Sequence, residues 1–266
     1  MTRSGRAILL AAVAVVLASC AADNDQPSTP QGVVPPSDTT ASGTVTVLAA
    51  ASLTEAFEEL GARLADEFPD LEVVFSFGPS SGLVEQVLAG APADILATAD
   101  TRTMDDAVAG GAVSGEPTVF ARNTLALIVP AGNPGGVTGL ADLAREELRV
   151  AICAPEVPCG AAAQRLLQAA GVTAAPDTLA TDVKEAASLV ALGEADASLV
   201  YRTDAAAEGA AVDTIDVPAS DQVVNDYPVA MLAGAPNPEA ARMVLDAIIG
   251  EPGQQILGDA GFLAGQ

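Results

Sequence analysis

The chain has 266 residues, a formal net charge of −24, and a composition that is 50% hydrophobic but only 3% aromatic. So negative a chain argues against nucleic acid as a partner, because phosphate backbones are bound by basic clusters. There is no histidine, so the usual nucleophile-plus-base arrangements lack a base and Cys/His metal sites are unsupported.

Residues 1–20 read as a lipoprotein signal peptide. Arg3 and Arg6 precede an apolar run at 7–18 that is too short to span a bilayer as a stable helix. The run ends in Leu17-Ala18-Ser19-Cys20, a lipobox-like pattern in which cleavage before Cys20 frees it for lipidation. The expected location is therefore the cell surface, lipid-anchored on the outer, extracytoplasmic face of the cytoplasmic membrane. Residues 21–43, rich in Pro, Ser, Thr and Asp, read as a disordered tether.

From residue 44 onward strand-like and helix-like segments alternate. TVTVLAA leads into a helix at about 53–67, and Ser52 and Glu55 are spaced as a capping box. LEVVFSFG leads into a helix at 82–89, and ADILATAD into a short one at 103–109. This is the βαβ pattern of a mostly parallel sheet. TLALIVPAG (124–132) is apolar enough for a buried strand, and NPGGVTG after it is turn chemistry.

A second series follows. LADLAREE predicts a short helix and LRVAICAP a strand; helices are expected at 160–170 and 183–192, closed by Gly171 and Gly193. ASLVYRT reads as a strand, two extended pieces follow Asp213, and 238–249 has amphipathic helical spacing. The fold class expected is α/β with two lobes, each a mostly parallel sheet flanked by helices. Residues 44–123 and 225–266 form the first lobe and 124–224 the second, with crossings near 122–128 and 217–229. A cleft between two such lobes is where a small ligand binds.

Cys153 and Cys159 are separated by five residues. With Cys20 lipidated, an even remainder at close spacing in an exported chain favours a disulfide, two free thiols being the alternative. Carboxylate pairs such as Glu58-Glu59 and Asp105-Asp106 read as solvated helix faces. Four predicted helix starts carry small hydroxyl residues or unencumbered backbone: Ser52, Ser80-Ser81-Gly82, Cys159-Gly160, and Asp182-Val183 with Glu185 as capping partner. Each helix start has free N–H groups and a partial positive charge. Taken singly each is a plain cap; several converging would make an anion site without arginine. Tyr201 ends a predicted strand, and its phenol either stays in the core or donates to an anion in the cleft.

Five stretches, VTVLAAASLTEAFEELGARLADEFP (45–69), VVFSFGPSSGLVEQVLAGAPADILATAD (73–100), CAPEVPCGAAAQRLL (153–167), DVKEAASLVALGEADASLVYRTDA (182–205) and YPVAML (227–232), resemble in order the periplasmic molybdate-binding proteins of ABC importers. Within them AAASLT, SFxxSS, GAPAD, the VPxG turn and LVY-x-x-DA are specific in combination. The resemblance implies a type II solute-binding fold and a non-enzymatic receptor without cofactor, working as a monomer with a membrane ABC permease. It implies a tetrahedral oxyanion, molybdate or tungstate, held by neutral donors. Ser52 and Ser80 would supply hydroxyl and backbone N–H, Cys159 and Val183 backbone N–H, and Tyr201 its phenol. Sulfate or thiosulfate on the same fold is the nearest alternative, and a redox protein built on the cysteine pair the more distant one.

Overall fold

A computed structural model describes residues 42–265; the expected signal peptide, its Cys20 and residues 21–41 of the expected tether lie outside the described residues. Gly43, assigned from the sequence to the stretch before the domain, already belongs to the first strand. In chain order, strand β1 (Gly43–Ala50) passes through a 3-10 turn (Ala51–Leu53) into helix α1 (Thr54–Glu67). Then come β2 (Leu71–Gly78), α2 (Ser80–Leu88), β3 (Ile95–Ala97) and α3 (Thr101–Ala109). The strand β4 (Val113–Pro130) is 18 residues long and contains the buried stretch read from the sequence as its second part.

The second series is β5 (Val150–Cys153), α4 (Pro158–Ala170), β6 (Thr178–Ala180), α5 (Val183–Ala191) and β7 (Ala197–Tyr201). LADLAREE gives only a 3-10 segment, Leu140–Ala144. The strand expected to run on through Arg202 stops at Tyr201, where helix α6 (Arg202–Ala207) begins. The chain closes with β8 (Val212–Ile215), β9 (Val224–Leu232), α7 (Pro238–Ile249), α8 (Glu251–Asp259) and β10 (Leu263–Ala264).

The helices form where apolar residues recur at helical spacing. α1 buries Ala56, Phe57, Leu60 and Leu64 on one face. α7 buries Ala240, Ala241, Val244, Leu245 and Ile248 and starts with Pro at its first turn, where a missing N–H costs nothing. α4 ends on Gly171 at φ 66°, a left-handed cap that glycine adopts without strain. With so few aromatics, the core is built from Ala, Val, Leu and Ile of strands covered by these helices.

The strands run in the order β2-β1-β3-β9-β4-β7-β5-β6. β1 is parallel to β2 and β3, and β5 is parallel to β6 and β7. β9 is antiparallel to both β3 and β4. β4 pairs with β9 as far as Thr124 and with β7 from Leu125, so one strand serves both halves of the sheet. Because β4 runs alongside β1–β3 in the same sense and β7 runs against it, the carboxyl ends of both parallel sets face the switch at Thr124/Leu125. Open α/β sheets bind ligands at such a point.

Candidate functional site

The loops and helix starts that follow β1, β2, β5 and β6, together with the end of β7, border one small, partly open cavity of about 20 Å³. Ser52, Ser80, Cys159, Val183 and Tyr201 all line it, with Ala50, Ala51, Pro79, Ala99, Val157, Pro158 and Asp182 among the other walls. Ser81 does not. The space is far below that of pockets for drug-sized ligands and suits only a compact group. No lysine or arginine lines it.

Apart from the Asp182 carboxylate, its polar groups include several donors. α2 and α4 have no side-chain cap. Their backbone ladders begin at Leu83 N–H to Pro79 O and Ala161 N–H to Val157 O, leaving the N–H groups of Ser80, Ser81 and Gly82 and of Cys159 and Gly160 outside them. In α5 the Asp182 carboxylate caps Glu185 N–H at 3.0 Å, and the ladder starts only at Ala186, so the Val183 N–H is outside it too. Glu185 does not return to residue 182 as a capping box would. Its carboxylate accepts from the N–H and hydroxyl of Thr181 instead, which holds its pKa below the usual range.

The capping box expected at Ser52 is absent. The 3-10 turn delays α1 to Thr54, no side chain caps it, and the Thr54 hydroxyl donates back to Ala51 O. Ser52 Oγ instead lies 2.9 Å from the hydroxyl of Tyr227, and Glu55 turns away to Lys184. The Ser80 hydroxyl accepts from Ala99 N–H at 3.0 Å, so its own proton is free to point into the cavity. Tyr201 is wholly buried, and desolvation, reinforced by Tyr227 and nearby carboxylates, pushes its pKa well above the usual phenol value. It is therefore a neutral donor throughout the physiological range.

Cys153 and Cys159 form a disulfide with a Cα–Cα distance of 5.8 Å. It ties the end of β5 to the first turn of α4, beside the cavity, which leaves Cys159 to act through its main chain.

A model of the bacterial extracellular solute-binding protein family matches residues 45–263. The chain belongs to that family. Molybdate-binding protein ModA of Mycobacterium tuberculosis is 36% identical over 254 residues, covering 96% of this chain and 95% of the relative. Its counterpart in Escherichia coli is 33% identical over 234 residues, covering 83% and 89%. The periplasmic molybdate-binding protein of Azotobacter vinelandii, 23% identical, superposes on 84% of this chain and all of its own with a TM-score of 0.71, which establishes a shared fold.

This solute-binding protein also carries polar groups that sequence reasoning missed. Tyr227 and Asn225 hydrogen-bond the lining residues Ser52 and Tyr201 from behind, and Asn123 pairs in register with Asn225 across β4 and β9. YPVA, within the resemblance, was the only signal for any of them. A charged cluster joins the two halves beside the site. Lys184, the chain's one lysine, reaches from α5 to Glu55 of α1 and lies 3.1 Å from the buried Asp204 of α6. Burial works against its charge, but Asp204 and Glu55 outweigh burial and raise its pKa. Arg102 of α3 donates to Glu156 O before α4 at 2.9 Å, a second contact between the halves.

Proposed function

We propose that this protein is an extracytoplasmic receptor for molybdate, and for tungstate, that delivers the anion to an ABC permease and catalyses nothing itself. The observation that carries this is the cavity: a small space at the meeting of strand ends, walled by two serines, a phenol, three helix starts and the Asp182 cap, with no lysine or arginine. The curated relatives named for molybdate binding support the choice of ligand. Ser52, Ser80, Cys159, Val183 and Tyr201 are the proposed contacts. Lipidation of Cys20 would keep the receptor, as a monomer, at the membrane surface beside its permease.

A site whose proposed contacts are all donors would favour anions that carry no proton. Molybdate, tungstate and sulfate are fully ionised at neutral pH and only accept hydrogen bonds. Phosphate retains a proton that finds no acceptor among the five proposed contacts, the Asp182 carboxylate of the wall being engaged by Glu185 N–H through one oxygen, and an unpaired buried donor is costly. Residues 44–123 with 225–266 and residues 124–224 are proposed to act as two lobes. An anion contacting both gains more from the closed form than from the open one, and shifts the population by that difference.

Thermal unfolding of the purified protein with molybdate, tungstate, sulfate or phosphate at matched ionic strength tests this. An anion at 100 times its dissociation constant adds about 2.7 kcal/mol, equivalent to a rise on the order of 5–10 °C for a chain of this size. A rise with molybdate and tungstate is expected; a rise with sulfate alone would change the ligand, and none with any anion would remove the proposal. Ser52→Ala and Tyr201→Phe are each expected to weaken molybdate binding by about 1.5–3 kcal/mol, the range for hydrogen bonds to charged groups. Isothermal titration of both variants reads this directly, and unchanged affinity in both would exclude the site.

A further inference from the structure

The Tyr201 hydroxyl has a partner on its protein side. Asn225 Nδ2 donates to it at 2.8 Å and to Ala99 O at 2.9 Å, while Asn225 Oδ1 accepts from Arg165 Nη2 at 2.6 Å. The orientation of this buried amide is chemically forced. A guanidinium has no acceptor, so the amide oxygen must face Arg165, and a carbonyl has no donor, so the NH₂ must face Ala99. Tyr201 then receives an N–H. Its oxygen is engaged as an acceptor, so its proton is donated away from Asn225, to a ligand in the cavity or, without one, to the neighbouring Tyr227 hydroxyl. Arg165, which makes no ion pair among the described residues, polarises this chain in the direction that strengthens the phenol as a donor.

We propose that Asn225, held by Arg165, is a positioning residue that fixes Tyr201 as a donor toward the cavity and so sets the site against anions that carry a proton. The inference rests on the oxyanion reading above. Asn123, opposite Asn225, is held in a similar way: its Oδ1 accepts from Thr124 N–H, and its amide donates to Thr203. The strand pair shared by both halves thus carries the groups that orient the site.

Asn225→Asp provides the test, because it keeps the shape and the contact with Arg165 but replaces a donor by an acceptor. Tyr201 must then donate to Asp and present a lone pair to the ligand. Affinities would be measured at pH 8, where molybdate and hydrogen phosphate carry the same charge and differ by one proton. Wild-type protein should bind molybdate and nearly exclude phosphate; failure of that control would overturn the oxyanion reading itself. In the variant, molybdate affinity should fall about 10- to 100-fold, with phosphate falling much less, so that the preference ratio drops at least tenfold. Equal losses for both anions, or no loss, would overturn the proposal while leaving the reading intact. In a Tyr201→Phe background the same substitution should change molybdate affinity less than threefold, since the hydroxyl it acts through is gone. Should the Asp variant fail to fold, Arg165→Met on the exposed face of α4 releases the amide instead. It should weaken molybdate binding about 3- to 10-fold in wild type and not at all in Tyr201→Phe, and the absence of that coupling would equally overturn the proposal.

Discussion

Replacing Gly160 with alanine is expected to lower the stability of this protein by about 3 kcal/mol, the upper end of the usual cost of overpacking, and to reduce anion affinity at least 100-fold. Gly160 sits in the first turn of α4. A Cβ there would overlap the Ala154 carbonyl and stand 2.6 Å from Cys153 O, both main-chain atoms at the end of β5 that cannot rotate aside. The helix start would have to move outward, although the Cys153–Cys159 disulfide tethers it, and the Cys159 N–H would leave the cavity with it. Urea unfolding and molybdate titration of the variant check both effects. Gly82→Ala in α2 is the control: its Cβ would meet only Pro79 Cγ at 3.4 Å, so alanine should be neutral or slightly stabilising there. If Gly160→Ala behaved like Gly82→Ala, the start of α4 would not be the fixed element described above.

Stability should fall as pH rises from about 5 to 8, and Asp204→Asn should remove most of that fall. Asp204 is fully buried, and neither of its oxygens accepts a well-aligned hydrogen bond. Desolvation pushes its pKa up to about 7, against the attraction of Lys184, while Glu55 and Asp182 push the same way as burial. Tyr201 and Tyr227, which also feel its charge, stay neutral because burial raises their own pKa values. A carboxyl raised from about 3.8 to about 7 binds a proton in the folded state that the unfolded chain has released. Its contribution to stability is therefore complete below pH ~4 and is lost as pH rises through ~7, amounting to about 3 kcal/mol between pH 5 and 8. Asp142 and Asp196 have lowered pKa values, from hydrogen bonds with Thr138 and Arg149 respectively; the stability they add is lost only as pH falls below the carboxylate range, outside this window. Denaturant melts of wild type and Asp204→Asn at pH 5 and 8 make the comparison. Equal slopes in the two proteins would assign the effect elsewhere.

The contrast between Asp182 and Ser52 shows how far local reasoning reached. Both were expected to cap their helices. Asp182 does, because its partner Glu185 N–H is three residues away and nothing else competes for it. Ser52 does not, because a hydroxyl 175 residues distant, that of Tyr227, takes its Oγ. The same divide separates the helices. α7 was legible from its apolar spacing. The strand at ASLVYRT was expected to continue, since aromatic and β-branched residues favour strands; it ends where Leu125 of β4 pairs with Tyr201 and the chain turns into α6.

By itself the sequence determined the α/β class and most strand and helix positions and favoured the cysteine pair, because each rests on short-range periodicity, caps or spacing, while the resemblance named the five residues that the structure places around one cavity. Only the tertiary structure decided which donors share one cavity, where β4 passes from one half of the sheet to the other, and how Arg165, Asn225, Asp204 and Tyr227 engage the site. A buried hydrogen bond or ion pair depends on groups brought together by the fold from distant parts of the chain. No local pattern encodes which of them will meet.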